Sequence, residues 1–389
     1  MTDAPKDKPG QPQPSWKTLE ERYLQPKPQR KLLALDGGGI RGVLTLEILL
    51  ELENKLREKL GKGPEFRLAH YFDYIGGTST GAIIAAGLAR GMSVTQLLTF
   101  YTGQGKAMFD KAWLLKKVKY FYKDGPLAKA LAQTFGSGDI SLASGDFLCL
   151  LLVVTMNRST DSPWPISNNP FAKYNHPGRP DCNTQIKLYQ LVRASTAAPI
   201  YFRPETLQWD ANNPEKTFVF VDGGVTPYNN PSFLLYRMAT NPAYNLSWET
   251  GERKLLLVSV GTGTSPTPGV YDNIGKALTS LPSNLMYAMQ IDQDVNCRTV
   301  GRCTYGAVID RELGDMIPSE PLSQDLGRHF LYARYNADIS AEGLADMGLA
   351  DIDADAVSEL DSVGNINDLQ RIGQTAAKTI DLAHFGSFI

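Results

Sequence analysis

The sequence predicts an α/β protein built on a mostly parallel sheet with helices on both faces. Three observations carry that expectation. Apolar stretches of strand length recur along the chain. Several end in a glycine-rich turn, and most turns lead into a helix-length segment. All the glycine motifs fall where strands end, the edge at which sheets of this kind bind ligands.

The elements follow in order. Residues 1–30 read as a disordered or loosely docked tail, rich in Pro, Gln and Lys (A-P-K-D-K-P-G-Q-P-Q-P). Residues 31–389 read as one domain, with 265–389 a less clearly patterned C-terminal part. Leu32–Leu35 is a short apolar strand ending at Asp36, followed by Gly37-Gly38-Gly39. A helix is expected from Gly42 to Leu60, with Leu44, Ile48, Leu49, Leu52 and Leu56 on one face and Gly61 as C-cap. Tyr71–Ile75 is a second strand. It enters Gly76-Gly77-Thr78-Ser79-Thr80-Gly81, and Ala82–Leu88 then reads as a helix apolar all round, hence buried. Phe147–Thr155 is a buried strand, Ser162–Asn183 a Pro/Asn-rich loop and Thr184–Ser195 a helix. Strand Thr217–Val221 ends at Asp222-Gly223-Gly224, and strand Lys254–Val260 at Gly261-Thr262-Gly263. Ile291–Asp315 is a candidate cap or regulatory element.

Composition narrows the function classes. With 39 basic and 41 acidic residues the net charge is -2, so no basic field draws in nucleic acid. The chain has no apolar stretch of about 18 residues that could cross a membrane. Its amino terminus lacks the apolar core of a signal peptide, so a cytoplasmic location is expected, with export by a route without cleavage left open. The four cysteines match no zinc or redox spacing and read as reduced thiols. Only four histidines occur, His70, His176, His329 and His384, so any histidine-based hydrolase must draw on these. Asp351-x-Asp353-x-Asp355 lacks the Gly and Glu that a calcium loop needs, with Ala356 and Ser362 in those places, and reads as an acidic helix start. No metal and no cofactor is expected.

Three motifs carry chemistry. Gly77-x-Ser79-x-Gly81 lies between a strand and a helix. A nucleophilic serine needs such a tight turn, flanking glycines relieve crowding, and the following amides face developing negative charge. The competing reading is a glycine turn capped by a serine. Asp36-Gly37-Gly38-Gly39-Ile40-Arg41-Gly42 presents consecutive unblocked amides and a fixed cation, a nest for an oxyanion or phosphate. Its spacing fits neither nucleotide-loop pattern, and a plain turn is the alternative. Asp222-Gly223-Gly224 puts a carboxylate at the end of a buried strand, where desolvation makes it a better base. A turn aspartate capping its own backbone is the alternative. Ser79, Asp222 and His329 stand in the chain order Ser…Asp…His of the α/β-hydrolases, so a Ser–His–Asp esterase and a histidine-free Ser–Asp dyad both remain open here.

The motif set resembles the patatin-like phospholipases, which pair D-G-G-G-x-R-G with G-x-S-x-G and D-G-[GA]. This chain has them in order at Asp36–Gly42, Gly77–Gly81 and Asp222–Gly224. Phe72-Asp73-Tyr74-Ile75, the stretch Arg193–Phe202, Asn229-Asn230-Pro231 and Val258–Gly263 also match. The resemblance covers about Lys31 to Ser265. It implies a three-layer α/β/α patatin-like fold with a central mostly parallel sheet, and lipid acyl hydrolysis of the phospholipase A or lysophospholipase type. It implies Ser79 as nucleophile and Asp222 as general base. Gly37, Gly38, Gly39 and Arg41 would form the oxyanion hole, with Gly77, Gly81, Gly223 and Gly224 shaping the turns. The substrate would be a phospholipid or other acyl lipid, met by peripheral membrane contact. A small-molecule or protein activator is a further expectation, as in cyclic-nucleotide-switched effectors. Lys111–Lys123, where lysines interleave with Trp113, Tyr120, Phe121 and Tyr122, reads first as an amphipathic helix that buries its aromatics in the fold and solvates its lysines, and second as a membrane interface.

Overall fold

The computed structural model describes residues 23, 26–109, 126–136, 138–199, 202–210, 212–264 and 274–389. Among them are nine strands: β1 (Arg30–Leu35), β2 (Tyr74–Thr78), β3 (Leu150–Asn157), β4 (Ser162–Ser167), β5 (Glu205–Asp210), β6 (Asn213–Asp222), β7 (Leu255–Val260), β8 (Arg302–Tyr305) and β9 (Leu331–Tyr335). They form one sheet in the order β5-β6-β3-β2-β1-β7-β9-β8, with β4 also paired to β3. The run from β3 through β8 is parallel. The pairs β3/β4, β3/β6 and β5/β6 are antiparallel.

Central strands of a parallel sheet are covered on both faces, so they are apolar at every position. Leu32, Leu33, Ala34 and Leu35 of β1 and Leu255–Val258 of β7 are fully buried. Helices Gly42–Lys59, Val94–Phe109 and Ile366–Ala377 pack together, while Ser232–Thr240 lies against β1 and β7 with Ile274–Val300 beside it. Glycines in β2 reveal the two faces, because neighbouring strand residues point to opposite sides. A Cβ at Gly76 would lie 3.2 Å from Leu235 of helix Ser232–Thr240. A Cβ at Gly77 would collide with the Gly81 carbonyl of helix Thr80–Ala89.

Several expectations are corrected. The second strand starts at Tyr74, not Tyr71, because Leu68–Tyr71 is a helical turn, and it runs on through Gly76 and Gly77. These glycines serve the strand by allowing close helix packing. Ser162–Asn183 is not all loop, since Ser162–Ser167 pairs with β3 despite Pro163 and Pro165. Thr184–Ser195 divides into a short turn at Asn183–Gln185 and the helix Leu188–Ser195. Ile291–Asp315 is no separate cap: it contains the end of helix Ile274–Val300 and β8, the sheet's edge strand. The tail docks earlier than residue 31. Tyr23 Oη donates to the Asp73 carbonyl at 2.7 Å, and Lys27 pairs with the Asp73 carboxylate at 2.7 Å. The expected acidic helix start holds, with Asp353 capping the amides of Asp355 and Ala356. Lys111–Lys123 lies outside the described residues.

Candidate active site

The site is set by two strands that meet on one edge of β3. On its other edge β3 pairs with β4 from residue 152 to 157. On the site edge it pairs first with β2, whose last partners are Thr78 and Val154. It then pairs with β6, which arrives from the opposite direction and ends with Asp222 opposite Thr155. The residue after Thr78 is Ser79, so Ser79 and Asp222 meet end to end although they lie far apart in sequence.

Ser79 has φ 55° and ψ -122°, a backbone conformation that a side chain rarely adopts. Its surroundings over-determine it. A Cβ at Gly81 would collide with the Leu35 carbonyl. The Ser79 amide donates to Ser195 Oγ at 2.9 Å, and Ser195 Oγ donates to the Val154 carbonyl at 2.6 Å. The turn leaves Ser79 half-buried, and its hydroxyl donates to Asp222 Oδ2 at 2.6 Å. Asp222 is buried, and its Oδ1 accepts from the Gly224 amide at 2.6 Å. A Cβ at Gly223 would collide with the Val154 carbonyl, so both glycines of this turn are needed to seat the carboxylate. Burial pushes the Asp222 carboxyl up to about 6, against the Ser79 and Gly224 hydrogen bonds and the charge of Arg193, which lower it. It is therefore a base poised near neutrality.

The glycine loop stands beside the serine: a Cβ at Gly37 would sit 3.2 Å from Ser79 Cβ. Gly37 itself is occupied. Its amide donates to the Asn229 carbonyl at 3.0 Å, and its carbonyl accepts from Thr262 Oγ1 at 2.9 Å. The expectation that all three glycine amides face an oxyanion is corrected to this extent, because the Gly37 amide is already committed. Gly38 and Gly39 donate to no group among the described residues. Helix Thr80–Ala89 adds the unpaired first amides of a helix start. Arg41 is buried with its Nε unpaired among the described residues, and burial lowers its pKa to about 10 while Asp36 opposes the shift.

Sequence reasoning missed what holds this loop. Asp36, fully buried, accepts from Arg334 Nη2 at 2.6 Å. Arg334 also donates to Ser259 Oγ at 2.6 Å and lies 3.6 Å from Asp294, which pairs with Arg298 at 2.8 Å. Burial alone would lower the Arg334 pKa, but Asp36, Tyr332 and Asp294 raise it above the usual arginine value. The signal was present: an arginine inside the apolar strand L-Y-A-R-Y demands a buried partner.

His329 is corrected as a triad candidate. It precedes β9, at the sheet edge opposite the glycine motifs, and its Nδ1 pairs with Tyr236 Oη at 2.6 Å.

A serine in a strained strand-to-helix turn, bonded to a buried carboxylate, defines a nucleophile-elbow protein of the α/β class. Within that class the chain belongs to the patatin-like phospholipase family, whose model matches residues 33–236. It is 35% identical over 224 residues to a cGAMP-activated phospholipase of Vibrio cholerae, covering 54% of this chain and 58% of that protein. It is 31% identical over 262 residues to patatin-17 of Solanum cardiophyllum, covering 64% of each. The chain thus spans less than two thirds of either relative. Human GIVD cytosolic phospholipase A2 is similar in structure, with TM-score 0.43 and 12% identity over 96% of this chain and 61% of that one.

Proposed function

We propose that this protein hydrolyses fatty-acyl esters of lipids through an acyl-Ser79 intermediate on a Ser79–Asp222 dyad. The observation that carries this is the 2.6 Å hydrogen bond from a serine held at φ 55° to a buried carboxylate. Asp222 takes the Ser79 proton as Oγ attacks the ester carbon. The oxyanion is met by the amides of Gly38 and Gly39 and the helix start at Thr80, with Arg41 adding positive charge. Collapse expels the alcohol part of the lipid, which leaves with the proton from Asp222. Water then hydrolyses the acyl enzyme by the same route in reverse. Among the described residues no helix is long and apolar enough to cross a membrane, and contact with lipid is proposed to be peripheral.

An activator is the second element of the reading. Relatives at 35% and 30% identity, from Vibrio cholerae and Escherichia coli, are named cGAMP-activated phospholipases. The test is lipid mass spectrometry after incubating the wild type and Ser79→Ala with a mixed lipid extract, with and without cGAMP. Free fatty acid from the wild type alone supports the proposal. Its dependence on cGAMP supports activation, and equal release by both proteins defeats the dyad.

A further inference from the structure

The dyad takes one proton of the hydrolytic water, and the other stays on the water oxygen, where an acceptor can hold it in line. Asn229 supplies one. It lies between the Asp222-Gly223-Gly224 turn and helix Ser232–Thr240 and is fully buried. Its backbone carbonyl accepts from the Gly37 amide at 3.0 Å, and its Nδ2 points to the Gly37 carbonyl at 3.4 Å. That contact fixes which way the amide faces, since an oxygen turned toward a carbonyl would be repelled. The remaining atom, Oδ1, is buried and accepts no hydrogen bond among the described residues.

Two glycines locate this oxygen. A Cβ at Gly37 would collide with Asn229 Oδ1 and lie 3.2 Å from Ser79 Cβ. A Cβ at Gly224 would lie 2.9 Å from Asn229 Oδ1 and 3.0 Å from Asp222 Oδ1. The unpaired oxygen thus sits between the nucleophile's loop and the base's turn, in space that only glycine leaves open. A buried acceptor without a donor costs free energy, so its place at this point calls for a ligand that donates.

We infer that Asn229 holds the water that cleaves the acyl enzyme, an inference that rests on the acyl-Ser79 reading above. The water donates one hydrogen to Asn229 Oδ1 and the other to the Asp222 carboxylate. Its oxygen bonds to the acyl carbon as that second proton passes to Asp222, and the carbonyl electron pair moves onto the carbonyl oxygen. Collapse breaks the bond from carbon to Ser79 Oγ. Ser79 recovers the proton from Asp222, and the fatty acid leaves with the water oxygen and the hydrogen that Asn229 had held.

The inference separates two half-reactions. A fluorophosphonate probe reports attack by Ser79 and needs no water, while steady-state hydrolysis of a p-nitrophenyl fatty-acyl ester needs both steps. Asn229→Ala is expected to keep the wild-type labelling rate while turnover falls about 10²-fold, the cost of a misplaced reactant. Intact-protein mass should show the acyl adduct accumulating during ester turnover. Asn229→Leu, of similar volume and without the acceptor, takes its place if the alanine variant unfolds. Labelling and turnover falling in parallel would show that Asn229 only holds the Gly37 loop, and unchanged turnover would also overturn the inference. If wild-type Ser79 takes neither probe nor acyl group, the acyl-serine reading itself fails.

Discussion

Replacing Asp222 by asparagine removes the one buried acid that meets Ser79, and its effect on stability follows from the same burial that makes it a base. The carboxyl titrates at about 6 in the fold against 3.8 when free, with burial as the main cause. At about 1.4 kcal/mol per pKa unit, ionising it in place costs about 3 kcal/mol. Well below pH 4 the group is protonated in both states and costs nothing. Between pH 4 and pH 6 the folded protein keeps a proton that the unfolded chain has released, so stability falls as pH rises. Above pH 6 the full cost is present. Asparagine cannot ionise, yet its side-chain oxygen can still accept from the Gly224 amide while its amide nitrogen donates to Ser79 Oγ. Asp222→Asn should therefore lose turnover while becoming more stable by about 3 kcal/mol at pH 8, and by only about 0.5 kcal/mol at pH 4. Urea unfolding of both proteins at the two pH values measures this. A variant no more stable at pH 8, or a difference that ignores pH, would refute the reasoning. The wild type supplies a parallel check, since its kcat/KM should fall as pH drops through about 6.

Other outcomes follow from the same geometry. A Cβ at Gly38 would collide with the Thr262 side chain, so Gly38→Ala should displace an oxyanion amide and lower kcat by about 10²–10³ in steady-state ester assays. Arg334→Met leaves Asp36 buried without its cation and should cost about 3–5 kcal/mol in urea unfolding. His329→Gln should leave ester turnover unchanged, because that histidine bonds Tyr236 rather than the site. A large loss of turnover there would revive a Ser–His–Asp arrangement.

What was legible in the sequence is what backbone geometry forces on residue choice. Glycines at 37, 38, 77, 81 and 223 are required because any Cβ would strike a neighbour, and such positions show in a single sequence. Strands β1 and β7 were legible because burial on both faces makes Leu32–Leu35 and Leu255–Val258 continuous apolar runs. The last half of β6 was legible, but β5, the first half of β6 and β4 were hidden by polar residues and by Pro163 and Pro165, which read as loop. Partnerships were hidden for another reason. Nothing local to Asp36 names Arg334, and nothing local to Asn229 reveals an oxygen left unpaired between two distant turns.

The end-to-end meeting of β2 and β6 along β3 gives Ser79 and Asp222 a common ruler rather than a common loop. Insertions or deletions in the connections between residues 80 and 212 leave the gap between Ser79 and Asp222 unchanged, because each strand is measured off against β3. An extra residue within β6 is another matter. It would carry the carboxylate about 3.4 Å along the ruler and turn it to the other face of the sheet. The connections between these strands can thus change in length without moving the site, while the last few residues of β6 cannot.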